Sequence, residues 1–131
     1  MAMPSPVRVG LLLTVLFAGC APAAPAPLTC TKIGCETGLF VEVAGRPQGP
    51  YRVEVRAAGE TPRVRECPSP PECGQIFFPD FLPAEVTVEV IAGGERSSGT
   101  VRPQIEVVQP NGPGCPPNCR QAHVTVPRPG D

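Results

Sequence analysis

The sequence predicts an all-β protein: a small antiparallel β-sandwich stapled by disulfides, with a small Greek-key barrel as the alternative. Three observations predict it. After Cys20, the longest stretches free of Pro and Gly are nine residues, Ala84 to Ala92 and Asn118 to Val126, shorter than the ~11–12 residues of an average helix. Both stretches alternate apolar and polar residues with the period of two that puts one strand face on a core. Six cysteines, an even number, lie between Cys30 and Cys119, the usual composition of a small domain that needs covalent staples.

The strands follow in order along the chain. Leu39, Val41 and Val43 share one face, with Phe40 and Glu42 on the other. Tyr51, Val53 and Val55 oppose Arg52, Glu54 and Arg56. Val86, Val88 and Val90 oppose Glu85, Thr87 and Glu89, and Ala122, Val124 and Val126 oppose His123 and Thr125. Shorter candidates are Arg63 to Cys67, Gly74 to Phe78, Thr100 to Arg102 and Ile105 to Gln109. Turn residues separate them at Gly45-Arg46-Pro47, Gly59-Glu60, Pro68 to Pro71, Gly93-Gly94 and Asn111 to Gly114. One apolar and one polar face on each of seven or eight strands fits two antiparallel sheets around one core. The stretch Phe81-Leu82-Pro83-Ala84-Glu85-Val86-Thr87-Val88-Glu89-Val90 resembles the Pro-preceded strand of fibronectin-type-III and prealbumin-like domains. That resemblance implies an immunoglobulin/fibronectin-like sandwich and carries no ligand with it.

Ahead of the strands lies a different kind of segment. Arg8 precedes Val9 to Ala18, ten residues that are apolar but for Gly10 and Thr14. As a helix rising 1.5 Å per residue this run covers about half of a ~30 Å hydrocarbon core, too short to span and right for the apolar part of a signal peptide. It ends Leu16-Phe17-Ala18-Gly19-Cys20, which resembles the lipobox of bacterial lipoproteins. The resemblance implies cleavage before Cys20, diacylglycerol on its thiol, and attachment to a bacterial membrane. Ala21 follows where an Asp would retain such a protein at the inner membrane, so in a Gram-negative cell the implied destination is the outer membrane. Residues 1–19 are thus expected to be the signal peptide, 20–29 the lipidated cysteine and an Ala/Pro-rich tether, and 30–131 the sandwich. The tether, Ala21 to Pro27, has no charge and alternating Pro, the composition of a semi-rigid extended spacer.

The six remaining cysteines form three close couples, spaced C-x4-C, C-x5-C and C-x3-C. The expected pairing is local: Cys30 with Cys35, Cys67 with Cys73, and Cys115 with Cys119. The alternative links the two ends, Cys30 or Cys35 with Cys115 or Cys119. Zinc binding is disfavoured by the absence of C-x2-C spacing, and thiol–disulfide catalysis by the absence of C-x-x-C.

Formal charge is −1, without the clustered basic surface that nucleic-acid binding requires. His123 is the only His, Asp occurs only at Asp80 and Asp131, and no Ser sits in a nucleophile elbow. No catalytic, cofactor or metal site is therefore expected. The candidate contact surfaces are Phe77 and Phe81, in a Phe-rich turn, and Pro116 and Pro117, in a braced loop. The expected function is a membrane-anchored binding module of the cell envelope with a protein, peptide or glycan partner. The alternative is a purely structural spacer.

Overall fold

The computed structural model describes residues 19–24, 26 and 28–130; the expected apolar segment of the signal peptide lies outside the described residues. Eight strands run in chain order: β1 (Gly38–Ala44), β2 (Tyr51–Arg56), β3 (Arg63–Cys67), β4 (Ile76–Pro79), β5 (Val86–Ala92), β6 (Glu95–Val101), β7 (Ile105–Val108) and β8 (Cys119–Pro127). A single helical turn, α1 (Pro70–Cys73), joins β3 to β4. The strands form two four-stranded sheets in the orders β4-β1-β8-β7 and β3-β2-β5-β6, the disulfide-stapled β-sandwich that the alternation predicts.

The inward residues are those the period of two selects. Leu39, Val41 and Val43 of the first sheet, with Ala122, Val124 and Val126, pack against Val53, Val55, Val86, Val88 and Val90 of the second. Removing each such side chain from water contributes about 1.5–3 kcal/mol. The two largest fully buried side chains are Phe78 and Phe81. Phe81 therefore cannot serve as the contact residue expected from the sequence. It follows β4 at the end of the sandwich and fills the core, its ring 6.3 Å from that of Phe78, because a core of valines and no Trp needs aromatic volume inside.

Two features depart from the expected plan. Five of the six strand pairings are antiparallel, but β1 and β8 run parallel, from Gly38 opposite Gln121 to Ala44 opposite Pro127. Also, β6 spans seven residues where the sequence suggests only Thr100 to Arg102. Its inward positions Ser97 and Gly99 carry no apolar signal. The strand exists because Gly93 (φ 58°) and Gly94 (φ 80°) take the left-handed conformations of a tight two-residue hairpin, which lays Val88 against Gly99 and Thr87 against Thr100.

One long side of the sandwich is closed by arginines. Arg63 and Arg65 on edge strand β3 reach across to edge strand β4, donating to the carbonyls of Pro79 and Phe77. The Arg63 guanidinium also lies 4.8 Å from the Phe81 ring centroid, capping the core. These contacts occupy carbonyls that a free edge would offer to another chain.

The disulfide pairing corrects the local expectation in two couples out of three. Cys67–Cys73 forms as expected across α1. Cys30 instead pairs with Cys115 and Cys35 with Cys119, at sequence separations of 85 and 84. The cause is the parallel pairing. β1 and β8 are offset by 83 residues, as in the bond from the Arg120 amide to the Thr37 hydroxyl, so the segments leading into both strands run side by side and each cysteine meets its neighbour across the gap.

Glycine at position 38 is fixed by close packing. A Cβ there would overlap the Phe78 carbonyl oxygen and come within 2.7 Å of Phe77 Cε2. Gly38→Ala is expected to destabilise by about 1–3 kcal/mol in chemical denaturation, whereas Gly49→Ala, with nothing within 4 Å, should stay within about 0.5 kcal/mol. The bridges should be non-additive. Once one crosses between the ends, the other closes a ring of only about ten residues, so losing either costs about 3 kcal/mol and losing both about 7. Denaturation of the paired Cys→Ser variants checks this; equal, additive losses would contradict it.

Candidate functional site

Three surfaces present organised chemistry. The first is the outer face of the sheet β4-β1-β8-β7. The register sets Phe77, Phe40 and His123 in one row across three adjacent strands. Their rings are in contact: Phe77 and Phe40 are tilted by 30° with centroids 4.6 Å apart, and Phe40 and His123 are stacked nearly parallel at 8° with centroids 4.8 Å apart. Phe40 and Phe77 are half-buried and His123 is exposed, so the row lies on the outer face of the sheet, away from the core. Cross-strand aromatic pairs of this kind are worth about 0.2–1 kcal/mol each, too little to be the fold's main support. Phe77, one of the contact residues expected from the sequence, thus lies half-buried in this row. Phe40 and His123 belong to it too, grouped with Phe77 by a strand register that alternation alone does not reveal.

The second surface is the outer face of β3-β2-β5-β6, a lattice of ion pairs. Glu54, buried at 9% exposure, sits between Arg52 and Arg56 at 3.3 and 2.7 Å. On the neighbouring strand Glu89 lies opposite Glu54 and takes Arg96 at 3.0 Å. Two carboxylates facing each other would repel, and the flanking guanidiniums offset that repulsion. With its charges matched internally, this face is a solvated exterior.

The third surface is the end of the sandwich where the chain enters β1. Here residues 28–36 and the loop 109–118 lie together, crossed by Cys30–Cys115 and Cys35–Cys119. Asn111 fastens them. Its Oδ1 accepts from the Thr31 hydroxyl and from the Ile33 amide at 2.8 Å, and its Nδ2 donates to the carbonyls of Ile33 at 2.8 Å and Pro116 at 2.7 Å. The side chain thereby supplies both partners that a neighbouring strand would give Ile33, and holds its own loop closed. Pro116 and Pro117, joined by a cis peptide bond, line an open groove of about 480 Å³ with Cys30, Lys32 and Ile33. The expected contact residues Pro116 and Pro117 are therefore brought together with the N-terminal segment, far in sequence.

At the opposite end, burial pushes the Tyr51 phenol above its ordinary value of 10.0, with Arg46 opposing the shift. Among the described residues no group of three or more His, Cys, Asp or Glu is placed to hold a metal ion. Comparison of the chain with protein families, with curated proteins and with solved structures finds no match, so the functional reading rests on these surfaces and on the sequence.

Asn111→Ala should leave the Ile33 amide and carbonyl without partners. Its amide is expected to exchange at least about tenfold faster, the equivalent of about 1.4 kcal/mol, while the β1 amides stay protected. Hydrogen exchange resolved to single residues checks both halves of that statement.

Proposed function

We propose that the protein is an exported bacterial lipoprotein, held to the membrane by lipid on Cys20, whose sandwich acts as a non-catalytic interaction module at the cell envelope. The observation that carries this reading is the parity of the cysteines. Six pair off as disulfides, and the seventh, Cys20, is free and exposed at the head of an uncharged Ala/Pro leader. Structural disulfides accumulate where the surroundings are oxidising, which agrees with export. A cysteine left out of such a framework, immediately after a short apolar run and two small residues, suits acylation.

The interaction role draws on the row Phe77, Phe40 and His123 on the outer face of its sheet. A face of this chemistry suits a protein, peptide or glycan of the envelope, because aromatic side chains supply contact area at small entropic cost. In a Gram-negative cell, Ala21 after the lipidated residue favours the outer membrane.

Two outcomes test the reading. Intact mass of protein taken from host membranes is expected to lack residues 1–19, to carry added acyl mass, and to gain six alkylatable thiols only on reduction; Cys20→Ser should move the protein out of the membrane fraction. A photocrosslinker at Thr125, beside His123 on the outer face of β8, is expected to give a discrete, saturable adduct in cells. Lipidated protein that gives no adduct would favour the spacer alternative.

A further inference from the structure

We propose that the disulfide-braced end of the sandwich, formed by residues 28–34 and 109–117, is a lipid-facing dock that rests on the surface of the bilayer holding Cys20. The inference builds on the lipid anchor proposed above. Its first support is where the exposed apolar side chains lie. Among the described residues the three most exposed large ones are Leu28 (66%), Val107 (64%) and Ile33 (56%). Leu28 packs along the loop, its Cδ2 within 3.2 Å of where a Cβ on Gly114 would stand. Ile33 is pinned to Asn111, and Val107 is on β7, the strand that runs into the same loop.

Ile33 is held out by two flanking disulfides and by the bonds of Asn111 to its own amide and carbonyl, and Val107 by the pairing of β7 with β8, so the exposure of both is built into the backbone. Apolar side chains held out to solvent on a rigid frame mark a surface meant to be covered.

Charge and connectivity name the cover. Segments 28–34 and 109–117 contain one charged residue, Lys32, the only lysine of the chain. A single cation beside apolar and proline side chains suits an anionic headgroup layer above acyl chains. The tether enters at this end: Cys20 precedes Leu28 by eight residues, a reach of at most about 25–30 Å. An acylated Cys20 thus keeps this end nearest the membrane and makes contact effectively intramolecular, so that a small patch suffices where it would be too weak for a free protein.

The chain contains no Trp, so a single introduced indole reports its own surroundings. Full-length Ile33→Trp protein, purified in lipidated form, is reconstituted into phosphatidylglycerol/phosphatidylethanolamine vesicles with brominated acyl chains. Gln48→Trp, on the exposed loop at the far end, serves as the reference, and thiol counting verifies three disulfides in each. The expected result is a blue-shifted indole at position 33 quenched at least twofold by bromine, with the indole at position 48 unaffected. Adding Lys32→Glu should reduce that quenching on anionic vesicles and leave it unchanged on neutral ones. A lipidated protein whose indole at position 33 stays solvent-like overturns the dock and leaves the anchor standing. A blue shift without bromine quenching that grows with protein concentration also overturns it, assigning the patch to a second copy. A purified protein whose mass shows no acyl group overturns the anchor, and the dock with it.

Discussion

Everything in the first sheet depends on β1 lying parallel to β8. These two strands are the middle of the order β4-β1-β8-β7; without their pairing the sheet separates into two two-stranded ribbons, which are marginal in water on their own. The contact joins segments 83 residues apart, so its formation bears a large loop-closure entropy. Cys30–Cys115 and Cys35–Cys119 continue the same side-by-side alignment beyond the strands, and Asn111 adds hydrogen bonds between them. Covalent bonds thus secure the one long-range pairing that the hydrophobic pattern cannot secure by itself.

The sandwich that results has faces of contrasting chemistry. On one sheet the charges are matched within the sheet, through Arg52, Arg56 and Arg96 on Glu54 and Glu89, leaving little net field for a partner. The other sheet carries the ring row on its outer face. The edges differ as well. Arg63 and Arg65 close the β3/β4 side, while β7 on the opposite side leaves Ile105 and Val107 exposed. The exposed apolar and aromatic side chains are thus concentrated on the β1-containing sheet and on the braced end.

Much of the framework was legible because burial imposes a period of two. Val53, Val55, Val86, Val88, Val90, Ala122, Val124 and Val126 all point inward as their alternation predicts. What was not legible concerns relations between strands. Alternation is the same for parallel and antiparallel neighbours, so it said nothing of β1 and β8. The close cysteine couples suggest local loops, although their similar spacing, C-x4-C before β1 and C-x3-C running into β8, is what two aligned segments produce. β6 was shortened because Ser97 and Gly99 face inward without apolar character. The ring row needed the register, since Phe40 and His123 each look like an ordinary outward residue until Phe77 is set beside them. Asn111 read only as a turn former, its bonds to Ile33 lying 78 residues away.

The placement of Cys30 has a mechanical consequence. A pull on the chain from its N-terminal side reaches the sandwich at Cys30 and passes through its bridge to Cys115, and through Cys35 to Cys119 at the head of β8, before it can part β1 from β8. Peeling β1 away from β8 would require stretching covalent bonds, so load is shared between both central strands at once, and hydrogen bonds are spared the unzipping geometry in which they fail one at a time. Tension applied on the N-terminal side is therefore carried by sulfur into both central strands together.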